Sequence, residues 1–495
     1  MTVRLTRRAA LIGLLTSSAS IVLAGAPTQS PRPIERPAFW PPAPRPTTRP
    51  EVEDLIAEAR LGGTTGFVIA DAQTGEIIER GSAHVPLPPA SVTKTLTSVY
   101  GLEALGPHYQ FRTTLRAEGT ITDGVLDGTL ILAGGGDPTL VTDDLAAMAE
   151  GLAATGLREV RGGFEVWNGA LPYINEIDPD QLDHLGYNPA VSGLNLNFNR
   201  VYFEWARTAG DYRVSLDARS ELYRPEVHMA RMRVVDRDLP VYTYDADGEV
   251  DDWTVARRAL GNDGSRWLPV RQPALYAGDV FRSFASSHGI TLPAPTKRSR
   301  APRGAILVTH SSEPLTTVVR DCLKYSTNLT AEAIGLTASA RLAGEVENQH
   351  RSAQHMCDWI AQRTGARVAV EDHSGLGSDS KVSAAQMVKF LTTDGVEAQL
   401  RPLLKSIPIK DENARPMETP IKIAAKTGTL NFVSTLAGYI HTETGRELAF
   451  AIFSANLGER MAAEGSLDDV PAGAVGWNHR AKALQQVLLK RWGRY

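Results

Sequence analysis

Apolar residues recur at helical spacing in several stretches: Val52, Leu55, Ile56 and Ala59; Leu96, Val99, Tyr100, Leu102 and Leu105; then residues 142–155, 314–342, 350–363 and 383–393. A last such run, Trp477, Ala481, Leu484, Val487 and Leu488, falls near 476–492. This period predicts helices that bury one face. Residues 66–70 and 76–79 predict a hairpin turning through Asp71 and Gly75, and residues 421–425, 433–440 and 448–454 predict three more strands, the last two joined at Thr444-Gly445. From about Phe111 the pattern changes to short strands broken by Gly and Asp, at 120–124 and 128–132, and residues 160–285 read as short strands and loops. The early hairpin and the late strands therefore read as one sheet interrupted by a large insertion. The expected fold is α+β, an antiparallel sheet flanked by helices, with residues 51–115 and 291–495 forming the main domain and 116–290 a β-rich inserted domain.

The ends of this plan have their own composition. Residues 1–26 carry Arg4, Arg7 and Arg8, then an apolar stretch diluted by Thr16, Ser17, Ser18 and Ser20, then Ala24, Gly25 and Ala26. That is the layout of an export signal, and Thr6-Arg7-Arg8 resembles the twin-arginine type, so the expectation is a periplasmic protein. Residues 27–50 follow as a proline-rich linker; eight of the twenty residues from Pro31 to Pro50 are proline, which favours an extended spacer over a core. The composition of the whole chain is that of a folded protein, 42% hydrophobic and 22% charged. A net charge of −4 without a basic run gives no reason to expect nucleic acid as a partner. The two cysteines, Cys322 and Cys357, fall in apolar helical patterns; their even number permits a disulfide in an exported protein, but a chain of this size does not need one, and they read as buried thiols. Histidines such as His184 do not fall at ligand spacings, and no metal or other cofactor is expected.

Chemistry concentrates at Pro89-Ala90-Ser91-Val92-Thr93-Lys94. Two prolines precede the pair and an apolar run follows, so Ser91 and Lys94 open a helix that ends near Leu105-Gly106-Pro107. At i and i+3 their Cβ atoms lie about 5–6 Å apart, which lets the amine reach the hydroxyl. A serine hydroxyl needs such a base, and a lysine serves only if its pKa is lowered. Ser378-Asp379-Ser380-Lys381 has the same spacing but sits in a Gly/Ser-rich stretch without a helix entry, and reads as a loop. Two later motifs single out the first copy: Ser326-Thr327-Asn328 early in a helical segment, and Lys426-Thr427-Gly428-Thr429 at the end of a strand. The run Gly134-Gly135-Gly136-Asp137-Pro138 lacks a Gly-Lys-Ser/Thr ending and reads as a tight turn.

Ser-x-x-Lys, Ser-x-Asn and Lys-Thr-Gly in this order form the motif set of the penicillin-recognising serine enzymes. About 235 residues separate Ser91 from Ser326, far more than a minimal enzyme of that fold requires. In this the chain resembles the D-alanyl-D-alanine carboxypeptidase/endopeptidase type of low-molecular-mass penicillin-binding protein, class C, over roughly residues 51–492. Further stretches agree with that family: 134–140, 194–199, Asp372-His373-Ser374-Gly375-Leu376, and Lys324-Tyr325 before Ser326. The resemblance implies a DD-peptidase/β-lactamase-like domain that acts on peptidoglycan stem peptides and is acylated by β-lactams. It implies Ser91 as nucleophile, Lys94 as base and Ser326 as proton carrier. Asn328 would hold the substrate amide, Lys426 and Thr427 its carboxylate, with Gly428 and Thr429 along the same strand and Thr429 N–H beside Ser91 N–H in the oxyanion hole. Members that read a diaminopimelate side chain usually carry Gly-Asp-x-x-x-Asp and an Arg two residues after Ser-Gly-Leu. Here Gly162-Gly163-Phe164-Glu165-Val166-Trp167 and Ser378 stand at those places.

Two other readings compete. A β-lactamase would share the motifs but has no use for the insertion, and Glu397-Ala398-Gln399-Leu400-Arg401 only partly matches a deacylation motif. A non-catalytic peptidoglycan-binding module has no need of Ser91, Lys94, Ser326, Asn328 and Lys426 together.

Overall fold

The computed structural model describes residues 51–411 and 413–495; the expected signal and linker lie outside them. Its central sheet has six strands in the order Lys405–Ser406, Lys422–Leu430, Val433–His441, Glu447–Ala455, Thr64–Asp71, Ile77–Gly81. All neighbours are antiparallel. Glu447–Ala455 is apolar along almost its whole length because both of its faces are covered. Leu448, Phe450 and Ile452 meet Trp477, Leu484, Leu488 and Trp492 of the C-terminal helix Ala474–Trp492. Ala449, Ala451 and Phe453 face a second core with Leu96, Val99 and Tyr100 of the helix Thr93–Leu105. Period-2 alternation thus distributes one strand between two cores.

Between Thr93–Leu105 and the next helix of this body, Leu315–Tyr325, the chain builds a second body. A hairpin of Arg112–Thr122 and Val125–Ala133 turns through Asp123 and Gly124; residues 120–124 are therefore the end and turn of one long strand, not a separate strand. Its sheet runs Pro295–Arg298, Gly163–Trp167, Val125–Ala133, Arg112–Thr122, Ala305–Ser311, with Glu159–Val160 beside Val125–Ala133. Two helices, Thr142–Ala154 and Pro273–Ser287, share the core of this body. The second falls where the sequence reads as strands and loops. Pro273 at its first turn and Leu275, Tyr276, Val280, Phe281 and Phe284 at helical spacing explain it. Two three-stranded sheets, from residues 200–269, complete this body.

A small core joins the two bodies. Leu171, Ile177 and Val191 of the insertion pack with Leu329, Ala333 and Leu336 of the helix Asn328–Ala343 and with Leu376. Both cysteines are free, Cys322 buried and Cys357 partly so. Ser378–Lys381 is loop: Lys381 Nζ donates to the Ser378 carbonyl at 2.9 Å. Among the described residues no helix is long and apolar enough to cross a membrane.

Candidate active site

The loop after Pro88 and Pro89 enters a short 3-10 turn, Ala90–Val92, that runs on into Thr93–Leu105. Ser91 is partly exposed in this turn, and Lys94, one turn on, is fully buried. Lys94 Nζ donates to Asn328 Oδ1 at 2.7 Å and to the Ser374 carbonyl at 2.7 Å, and it is hydrogen-bonded to Ser91 Oγ at 3.1 Å. Ser91 is the candidate nucleophile, and the other two partners hold the amine against it.

Close backbone approach shapes the turn. Ala90 has φ +48°, a left-handed conformation that is unfavourable for a residue with a Cβ. Pro89 C=O accepts from Thr435 Oγ1 at 2.8 Å, which ties the turn to the sheet. A Cβ on Gly428 would lie 2.1 Å from Thr435 Oγ1 and 3.0 Å from Ala90 Cβ, and one on Gly375 would lie 1.9 Å from Ala90 O. The glycine of Lys-Thr-Gly is therefore the place where the strand meets the Ser91 turn. Gly375, at φ +75°, has neither room nor a suitable conformation for a side chain. Gly375→Ala is expected to destabilise the protein by about 1–3 kcal/mol in urea unfolding and to slow acylation about tenfold or more, by displacing Ala90 and with it Ser91.

Ser326 is expected early in a helix, but it lies in the break between two. It ends Leu315–Tyr325 in the left-handed conformation, φ +62°, its N–H bonded to Cys322 O at 2.8 Å, and Asn328 begins the next helix. The break points Ser326 Oγ at Lys426 Nζ, 2.9 Å away. Lys426, expected at a strand end, is central in Lys422–Leu430, because the tight turn at Asn431-Phe432 prolongs the strand through Thr427, Gly428 and Thr429. Lys426 Nζ also donates to Thr427 O at 2.8 Å. Thr427 and Thr429 are exposed and pair with Leu436 and Ser434 across the hairpin; among the described residues neither is hydrogen-bonded to Ser91 or Lys94. Both ends of the Asn328 carboxamide are engaged, Oδ1 by Lys94 and Nδ2 by the Tyr187 carbonyl at 2.8 Å. The insertion thereby contributes directly to the site.

Burial is the main cause that lowers the Lys94 pKa, opposed by Cys322, Asp372 and Glu332. Lys426 is lowered to about 7, first by burial and then by repulsion from Lys94, with Cys322 opposing. Desolvation of each amine thus outweighs the effect of one lysine on the other. A partly exposed hydroxyl bonded to a buried amine of lowered basicity, next to a second hydroxyl–amine pair, can carry out nucleophilic acyl transfer.

Sequence reasoning does not reach Glu332, the carboxylate of Asp372, or the carbonyls of Ser374 and Tyr187. Glu332 has a legible signal: it is four residues beyond Asn328, on the same helical face, among Leu329, Ala331, Ala333 and Ile334. The two backbone acceptors leave no trace in residue type. A cavity of about 510 Å³ near Asn328 is lined by Tyr187, Ser378, Asn431 and Arg460 among others. Arg460 Nη1 donates to Asn431 O at 3.3 Å, so a guanidinium is present there although Ser378 is no Arg. Among the described residues no group of three or more His, Cys, Asp or Glu is placed to hold a metal ion.

Comparison with known proteins places this geometry in context. A family model described as the D-Ala-D-Ala carboxypeptidase 3 (S13) family matches residues 48–470. D-alanyl-D-alanine carboxypeptidase of Actinomadura sp. (strain R39) is 26% identical over 451 residues, which span 82% of this chain and 80% of that protein. D-alanyl-D-alanine carboxypeptidase DacB of Haemophilus influenzae is 24% identical over 430 residues, 81% of this chain and 87% of the relative. The crystal structure of penicillin binding protein 4 (dacB) from Haemophilus influenzae matches with a TM-score of 0.72 at 20% identity, covering 90% of this chain and 100% of that one. That likeness is one of fold.

Proposed function

The chain belongs to the D-Ala-D-Ala carboxypeptidase 3 (S13) family and is a serine-type peptidoglycan DD-peptidase, and from that premise we propose that it works through an acyl-enzyme on Ser91. The observation that carries this reading is the bond from Lys94 Nζ to Ser91 Oγ at 3.1 Å, made by a fully buried amine.

Ser91 Oγ attacks the carbonyl carbon of the D-Ala residue that precedes the scissile bond, and neutral Lys94 takes the hydroxyl proton. The new C–O bond makes a tetrahedral oxyanion, held by Ser91 N–H at the start of the helical turn and by Thr429 N–H on the strand. When the C–N bond breaks, the departing amine takes a proton from Ser326 Oγ, 2.9 Å from Lys426, and the proton that Lys94 took from Ser91 restores the Ser326 hydroxyl and leaves Lys94 neutral again. Water then cleaves the Ser91 ester. Lys426 and Thr427 bind the carboxylate of the leaving D-amino acid, and the second N–H of Asn328 Nδ2 reaches the substrate amide. The same steps remove a terminal D-Ala or cut a D-Ala–diamino acid cross-link, so both carboxypeptidase and endopeptidase activities belong to one site. We place the reaction in the periplasm, reached through the twin-arginine pattern of residues 1–26.

A β-lactam presents a strained amide and a carboxylate to the same groups. The crystal structure of Haemophilus influenzae penicillin binding protein 4 complexed with a β-lactam supports the parallel at the level of the fold. Intact-mass analysis of the mature protein after exposure to benzylpenicillin is expected to show one added equivalent. A folded protein that gains no mass and consumes no penicillin would favour a binding module, and rapid consumption without an adduct would favour a β-lactamase.

A further inference from the structure

Behind Lys94 lie two carboxyl groups that the steps above leave unused. Glu332, on the helix that Asn328 begins, and Asp372, in the loop ending at Ser374, are both fully buried. Asp372 Oδ1 accepts from Ser374 N–H at 3.0 Å and from Gly375 N–H, and Oδ2 accepts from Gly377 N–H at 2.6 Å. Glu332 shares one backbone donor between its two oxygens, His373 N–H, at 3.1 and 3.2 Å. Together they shape the loop whose Ser374 carbonyl receives Lys94 Nζ at 2.7 Å.

The titratable groups facing this cluster are Lys94 on the nucleophile helix, the Cys322 thiol on Leu315–Tyr325, Glu332 on its own helix, Glu371 and Asp372 in the loop, Lys426 on the strand, and Asp178 of the insertion. Burial holds the His373 imidazole neutral. When Lys94 is the neutral base, two enclosed carboxylates cannot both stay ionised without a cation beside them. Three backbone N–H groups stabilise the anion of Asp372, whereas Glu332 has one backbone N–H and the Ser374 hydroxyl, so the proton falls to Glu332.

We propose that Glu332 is a positioning residue for the base: its buried carboxyl holds the proton that Lys94 must be without, while its bond to His373 N–H fixes the loop that aims Lys94. The proton balance is an exchange between the ammonium–carboxylate pair and the amine–carboxylic acid pair, with no net loss to solvent. Burial and the neighbouring Asp372 push the Glu332 carboxyl up to about 8, which agrees with that placement. The proposal rests on Lys94 being the general base.

The test compares benzylpenicillin acylation of wild type, Glu332→Gln, Glu332→Ala and Lys94→Met across pH. Glu332→Ala, which loses the anchor, is expected to acylate about 10–100-fold more slowly. Glu332→Gln copies the shape and neutrality of the protonated acid and is expected to recover at least about tenfold of that loss, with an acid limb that superimposes on wild type. Infrared difference spectra of wild type against Glu332→Gln at neutral pH should contain the C=O stretch of a protonated carboxyl. A wild type lacking that band, or a Glu332→Gln acid limb displaced to lower pH by about a unit or more, would overturn the proposal, since either means that Glu332 is an anionic counter-ion. Full acylation by Lys94→Met would instead remove the base reading and this proposal with it. If Glu332→Ala does not fold, the Gln variant and the spectra decide.

Discussion

Ser91→Ala is expected to abolish the penicillin adduct and to lower hydrolysis of an acyl-D-Ala-D-Ala peptide about 10⁴-fold or more. The magnitude follows from covalent catalysis: without Oγ no ester forms, and what remains is binding with an oxyanion hole that has no enzyme nucleophile to serve. The change is chemically local. Among the described residues the Ser91 side chain has one hydrogen-bond partner, Lys94, while Ser91 itself is held by a backbone tied to Thr435 and packed against Gly375 and Gly428. Thermal unfolding should therefore move little. Release of D-Ala under saturating substrate is the measurement, and activity within tenfold of wild type would put the nucleophile elsewhere, with Ser326 next to be tested.

Lys94→Met is expected to slow single-turnover acylation about 10³-fold, within the range for loss of a positioned general base. Methionine fills a similar volume, so a packing defect is a small part of the effect. The substitution also leaves Asn328 Oδ1 and the Ser374 carbonyl without their donor, at about 1–3 kcal/mol each where they stay dry. Some stability is therefore lost with the rate. The two effects separate by pH. Loss of the base removes the ionisation from the acylation profile, whereas mere destabilisation would leave its midpoint in place. A Lys94→Met enzyme that acylates within threefold of wild type would exclude Lys94 as the base.

Much of this site is legible in the residues because its chemistry is local at each motif. Ser91 and Lys94 are one turn apart, and the prolines before them and the apolar run after them announce the helix. The hairpin at 64–81 and the three strands over 422–455 are legible through their apolar alternation, and the sheet that unites them follows from burial on both faces. Ser326 is different. Its left-handed backbone lies inside an apolar pattern that reads as one helix from 314 to 342, and neither Ser nor Thr announces a break as Gly or Pro would. The helix Pro273–Ser287 is missed for the opposite reason: its signal is present, but the aromatic residues around it suggest strands. Asp372 is visible as part of a stretch shared with the family. Its grip on the N–H groups of Ser374, Gly375 and Gly377 arises only from the loop's path in three dimensions.

The pairing of Thr64–Asp71 with Glu447–Ala455 bears on how the chain acquires its structure. Thr65 Oγ1 and Ser454 Oγ, 389 residues apart, share a hydrogen bond at 2.9 Å near one end of these two strands of the main sheet. During synthesis the hairpin that precedes Ser91 emerges early and must wait for its neighbour until almost all of the chain has left the ribosome. Closing so long a loop has an entropic cost that grows only with the logarithm of its length, so prior folding of the insertion, which brings Arg112–Thr122 beside Ala305–Ser311, shortens the effective span at little extra cost. The slow event in folding is then the docking of the last strands onto the first, the kind of non-local contact that delays β-rich topologies. A nascent chain therefore carries Ser91 and Lys94 for most of its synthesis without an assembled site, and reactivity toward its substrates arises only with completion of the sheet.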